Sequence, residues 1–142
     1  MRQRQQRQEE IRRVVRGSRI RTQRELVDLL KTKGYDCTQA TVSRDVTDMG
    51  LRKQADGIYV LAEDLHLQRM IDELVRSVVR TNNLALVKTS PGTAQGVAAA
   101  LDAADLNGIL GSIAGDDTVL VITEDEKSAR DFEEHLTRFM GE

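Results

Sequence analysis

Two short helical patterns, each opened by a threonine and closed by a glycine, stand only a few residues apart in the first fifty positions. Thr22-x-x-Glu25 in "TQREL" fits a capping box just ahead of Leu26, Leu29 and Leu30, and Gly34 is placed to end that helix. After "YDC", Thr38 is positioned to cap "QATVSRDVTDM", which stops at Gly50. A third pattern precedes both: Ile11, Val14 and Val15 keep i, i+3, i+4 spacing in an Arg/Gln-rich stretch.

At about 100° per residue, Val42, Val46 and Met49 share one narrow apolar stripe facing a core. The opposite side carries Ala40, Ser43, Arg44 and Thr47. Arg pairs bidentately with guanine, Ser and Thr bond phosphate or base edge, and small methyls meet thymine, so this face suits a DNA major groove. A solvated surface face has the same composition, and helix-turn-helix spacing alone does not separate the two. The next segment does. In "LRKQADGIYVL" Asp56-Gly57 marks a turn between strand-like runs, with Leu51, Ile58 and Val60 as apolar positions. Arg52 and Lys53 sit on the first run, where a hairpin beside the helix reaches phosphate or the minor groove. Three helices and a basic hairpin are the order of a winged helix.

Charge divides the chain at the same place. Residues 1–60 carry 14 Lys+Arg against 8 Asp+Glu, net +6, whereas residues 61–142 carry 7 against 15, net −8. A basic half suits a polyanion and leaves the acidic half for other work. The chain is 39% hydrophobic but only 3% aromatic and has no Trp, so two small domains built from it are marginal alone and oligomerisation is expected. Cys37, the only cysteine, excludes an intrachain disulfide and a Cys-based zinc site. No apolar stretch is long enough to span a membrane, and "MRQRQQRQEE" has no hydrophobic region of a signal peptide; a cytoplasmic protein is expected.

In the second half, "EDLHLQRM" (63–70) reads as a connector, with His66 on its surface. "LVRSVVRTN" and "LALVKTS" have strand composition around an Asn82-Asn83 turn. Pro91-Gly92 leads into an Ala-rich helix through about Ala104, two more strand-like runs follow, and "DEKSARDFEEHLTRFM" closes the chain as a helix. The order ββαββα predicts an antiparallel sheet with two helices on one face and the other face left over. The fold class is α+β, divided into 1–62, a linker at 63–70, and 71–142.

Ala94, Val97 and Leu101 form the core stripe of the Ala-rich helix. Gln95 and Asp102, seven apart, stand on another stripe with Ala98 and Ala99 between them and Gly96 close by. Such a face leaves room for a ligand, or packs tightly on a neighbouring subunit. In "GSIAGDDTVLVI" the adjacent Asp116 and Asp117 fall between two strands. A solvated turn accounts for one aspartate better than for two beside buried surface, which together call for a positive group.

At "TQATVSRDV", and again at "TSPGTAQGVAAALD" and "ILGSIAGDDTVLVI", the chain resembles the bacterial arginine repressors, with the matches in family order. The resemblance implies a winged helix followed by an α/β domain that forms trimers, stacks them into hexamers and binds L-arginine between trimers. It implies repression of arginine biosynthesis genes, and often activation of catabolic ones, through palindromic operators. It puts Ser43 and Arg44 first among base-contacting residues, with Gln39 and Thr41 behind them. It carries Asp116 and Asp117 over as the principal arginine ligands, with Gln95 and Asp102 completing the pocket. Free L-arginine has the ammonium and guanidinium to compensate both carboxylates, so the positive group is expected to be ligand rather than chain. Ser112 stands where the family often has Thr, keeping the hydroxyl of the pocket, and Cys37 replaces a usual aliphatic residue as a small buried hydrophobe.

Two other classes stay open. Asp102, Asp116 and Asp117 could hold Mg²⁺ or act as acid–base groups, although no nucleophile–base pair or phosphate-binding loop accompanies them, and neither catalysis nor a metal is expected. An architectural DNA-binding paralogue, whose second domain only oligomerises, shares every feature except the Gln95/Asp102/Asp116/Asp117 cluster.

Overall fold

A computed structural model of the chain describes residues 2–140. These fall into two compact units that divide between Ala62 and Glu63.

The first unit holds α1 (Arg2–Gly17), α2 (Gln23–Thr32), α3 (Gln39–Asp48), β1 (Leu51–Lys53) and β2 (Tyr59–Leu61). The Thr22 hydroxyl accepts from the Glu25 N–H at 3.1 Å to start α2. Only half the capping box closes, because the Glu25 carboxylate lies 3.4 Å from the Thr22 hydroxyl. At the other end Tyr35 N–H donates to Leu30 C=O and Gly34 N–H to Lys31 C=O, with Gly34 at φ +89, a conformation that favours glycine. Thr38 accepts from Thr41 N–H at 3.2 Å and opens α3. Ile11, Val14, Val15, Ile20, Leu26, Leu30, Val42, Val46, Leu51 and Leu61 close one core, with Met49 packed against it. The β1–β2 hairpin pairs Leu51 with Leu61 and Lys53 with Tyr59. Its turn is held by Asp56 Oδ1, which accepts from Ile58 N–H at 3.0 Å.

The second unit contains α4 (Ala62–Leu74, its first residue in the first unit), β3 (Val75–Thr81), β4 (Leu84–Thr89), α5 (Ala94–Ala104), β5 (Ile109–Ala114), β6 (Thr118–Thr123) and α6 (Glu126–Phe139). The stretch 63–70, expected as a connector, is helical: Leu67, Met70, Ile71 and Leu74 repeat at 0, 3, 4 and 7, and Leu67 and Ile71 are fully buried. The sheet is antiparallel throughout in the order β3-β4-β6-β5. Ala85, Val87, Val119 and Val121 face the core with Ala94, Val97, Leu101, Phe132 and Leu136 from α5 and α6. The opposite sheet face is apolar and uncovered within one chain. Val79 opposes Leu86, Leu86 opposes Leu120, and Leu120 opposes Ile113, a continuous row across all four strands. Val79 is 58% exposed, Leu86 39%, and Leu110 and Ile113 67% each.

Candidate functional site

The outward side of α3 is polar and small. Gln39, Ala40, Arg44 and Thr47 are exposed, and Thr41 and Ser43 half-buried. Their hydroxyls are not equally available. Thr41 Oγ1 lies 3.1 Å from the Thr38 hydroxyl, and Thr47 Oγ1 donates to Ser43 C=O at 3.3 Å. Arg44 makes no hydrogen bond or ion pair among the described residues, which leaves its five donors free for a partner. On β1, Arg52 and Lys53 are exposed, and Lys53 Nζ lies 5.2 Å above the Tyr59 ring.

Sequence reasoning missed Asp45, which is 2% exposed. Arg7 Nε donates to Asp45 Oδ2; Arg7 Nη2 and Gln8 Nε2 each donate to Oδ1 at 3.0 Å. Burial opposes ionisation of Asp45, but the hydrogen bonds from Arg7 and Gln8 outweigh it and hold the carboxyl below its ordinary value. One turn on, Arg4 Nη2 donates to Asp48 Oδ2 at 2.8 Å between two exposed side chains. Cys37 is half-buried against the same core, and burial pushes its thiol up, as suits an inert packing residue.

In the second unit Asp116 and Asp117 form the tip of the β5–β6 hairpin, which Gly115 N–H closes onto Thr118 C=O at 2.8 Å. The tip is tied down by its backbone. Ala94 N–H, at the start of α5, donates to Asp116 C=O at 3.2 Å, and Thr89 N–H, at the end of β4, donates to Asp117 C=O at 2.8 Å. Asp116 and Gln95 are exposed beside this junction, and the Asp116 carboxylate has no partner among the described residues. Asp117 does have one, contrary to the expectation that only a ligand supplies positive charge. Lys88 Nζ lies 3.7 Å from Asp117 Oδ1 and donates to Thr118 Oγ1 at 2.7 Å, while Thr118 Oγ1 donates to Asp117 Oδ1 at 2.9 Å. The Thr118 hydroxyl and then the Lys88 charge keep Asp117 below the usual carboxylate range.

One chain therefore gathers Gln95, Asp116 and Asp117, but neither Asp102 nor Ser112. Asp102 is exposed seven residues along α5 from Gln95, about 10 Å at 1.5 Å per residue. Ser112 pairs with the buried Val121, four residues back along β5 from the tip and about 13 Å from it. Ala98 is buried in the core rather than lining the face with Ala99, and at Gly96 a side-chain carbon would come 3.2 Å from the Met70 methyl of α4. Part of the small-residue face thus serves internal packing. No group of three or more His, Cys, Asp or Glu among the described residues is arranged to hold a metal ion.

Two family matches cover nearly the whole chain. The family described as "Arginine repressor, DNA binding domain" matches residues 2–67, and "Arginine repressor, C-terminal domain" matches residues 71–138. The chain belongs to the arginine repressor family. Curated arginine repressors are similar over almost their full length: 43% identity with that of Solibacter usitatus, over 92% of each chain. The Carboxydothermus hydrogenoformans protein is 43% identical over 92% of this chain and 97% of its own. That of Thermus thermophilus is 41% identical over 93% and 87%. An arginine repressor is a DNA-binding transcriptional regulator, and the α+β architecture, with a helical DNA-binding domain ahead of an antiparallel sheet with helices, is consistent with this family. Among the described residues, no helix is long and apolar enough to cross a membrane.

Proposed function

We propose that the chain is a cytoplasmic, arginine-dependent repressor of arginine biosynthesis genes, and an activator of catabolic ones, that binds palindromic operators as a hexamer with L-arginine as co-repressor. The observation that carries the arginine dependence is the imbalance at the β5–β6 tip: two carboxylates on a tied backbone against one chain cation, Lys88. A ligand bearing both guanidinium and ammonium balances that charge and exploits the bidentate geometry of a carboxylate. Gln95, Asp102, Ser112, Asp116 and Asp117 form the proposed pocket. Within one chain Asp102 and Ser112 stand apart from the hairpin tip, in keeping with a pocket completed by neighbouring subunits. The uncovered row Val79–Leu86–Leu120–Ile113 supports that assembly, because an apolar face of this kind is the side a second copy buries.

On the DNA side Ser43 and Arg44 read base edges. Gln39, Thr41 and Thr47 contribute along α3, and Arg52 and Lys53 hold phosphates. Several such heads on one oligomer gain from effective concentration on tandem half-sites. Arginine and DNA must raise each other's affinity by the same factor. The role is regulatory rather than catalytic and calls for no metal.

Calorimetric titration with L-arginine, alongside L-lysine and L-citrulline and with oligomer size recorded, tests the proposal. Selective arginine binding by an oligomer is expected, because lysine lacks the planar fork and citrulline the charge. The Lys88–Asp117 contact favours a second reading, an effector-independent DNA-binding paralogue in which the tip is purely structural. DNA binding with no arginine heat would establish that reading instead.

A further inference from the structure

The segment Gln39–Asp48 carries one cation, Arg44, and two carboxylates, Asp45 and Asp48, so α3 taken alone has a net charge of −1. That is the wrong sign for a helix entering a polyanion groove. Asp48 is also four residues beyond Arg44, on the same side of the helix, where an i, i+4 ion pair would draw the guanidinium down onto the helix surface. The structure shows neither that pair nor one between Arg44 and Asp45. Both carboxylates are held by α1 instead: Asp48 by Arg4 at 2.8 Å, Asp45 by Arg7 and Gln8. These contacts span 44, 38 and 37 residues of sequence, so they cost loop closure that local pairing would avoid.

We infer that Arg4 is a positioning residue of the DNA interface, holding Asp48 away from Arg44 so that its guanidinium stays free for DNA. This rests on the reading of α3 as the recognition helix. It gives the Arg-rich opening of α1 a task distinct from phosphate contact. Arg7 acts on a buried carboxylate and also fixes the seat of α3. Arg4 acts at the surface, where charge can be changed without opening the core.

The test uses the full-length chain with L-arginine present and a duplex selected by that chain from a randomised pool. Four variants are compared with the wild type: Arg4→Ala, Asp48→Asn, the double variant Arg4→Ala/Asp48→Asn, and Arg44→Ala, each with a thermal melt to verify folding. Arg4→Ala is expected to weaken binding about five- to tenfold, as Asp48 recaptures much of what one bidentate arginine contributes. Asp48→Asn alone should bind at least as tightly as the wild type, and the double variant, unchanged in net charge, should return to the wild-type level with the wild-type salt slope. A double variant as weak as Arg4→Ala, with a salt slope lower by about one, would make Arg4 a phosphate contact and overturn the inference. Unchanged binding by Arg4→Ala, or weaker binding by Asp48→Asn, overturns it as well. Arg44→Ala separates the two levels: if it keeps full affinity, the assignment of α3 itself fails. If it loses affinity while Arg4→Ala does not, only the role of α1 fails.

Discussion

Replacing Asp45 with alanine leaves the largely buried Arg7 guanidinium without its carboxylate and strands the Gln8 amide. Removing one partner of a buried pair costs about 3–5 kcal/mol, a large share of the stability of a domain this small. Urea denaturation of Asp45→Ala should therefore show the first unit unfolding well before the second. The same carboxylate sets an acid limit. Its native value lies below the ordinary 3.8, so its contribution is complete above that value and is lost as the pH falls through the lower native one. Asp45→Asn should lose part of this acid dependence, seen as a flatter stability profile of the first unit below about pH 4. Spacing alone showed that Val42, Val46 and Met49 face inward, and it placed Arg44 outward. Asp45 escaped because it flanks that stripe, and a buried carboxylate becomes intelligible only once its cation is known. That cation lies 38 residues earlier, in a segment whose arginines look alike in sequence. Lys88 escaped for a parallel reason, since strand pairing of β4 with β6 is what brings it to Thr118 and the tip.

Among the elements, α6 docks where the chain turns into β5. Gly108 has φ +80, and a side-chain carbon there would fall 2.4 Å from Ser128 Oγ and 2.7 Å from Ser128 Cβ. Ser128 cannot withdraw freely, because its N–H is held at 2.8 Å by Asp125, the N-cap of α6. Gly108→Ala then combines left-handed strain with overpacking, each worth about 1–3 kcal/mol. An unfolding free energy of the second unit lowered by about 2–6 kcal/mol, with the first unit's transition unmoved, is the expected result of chemical denaturation. Elements opened by Thr22 and Thr38 were legible because caps are local chemistry, and so was the order of strands and helices after residue 74. Helix α4 was not. Its apolar positions keep helical spacing, but polar residues surround them and they run directly into β3, so the burial of Leu67 and Ile71 by α5, α6 and the sheet decides the state.

For the whole molecule, the uncovered sheet face and the proposed pocket make one prediction together. Ile113 is 67% exposed and pairs with Leu120 at the β5 end of the apolar row, yet it belongs to neither the hairpin tip nor α5. A lysine there adds charge where a single chain already meets water, so the fold of the unit is retained. Where a second copy covers the row, the same charge is buried without a partner, a cost that breaks association. Sedimentation should find Ile113→Lys monomeric under conditions in which the parent chain is oligomeric. Its melting temperature should no longer rise with protein concentration. L-arginine binding should disappear with assembly although Gln95, Asp102, Ser112, Asp116 and Asp117 are all intact, because the proposed pocket is complete only where subunits meet. A monomeric Ile113→Lys that still binds arginine with wild-type affinity would place the whole site within one chain, and the assembled pocket would have to be abandoned.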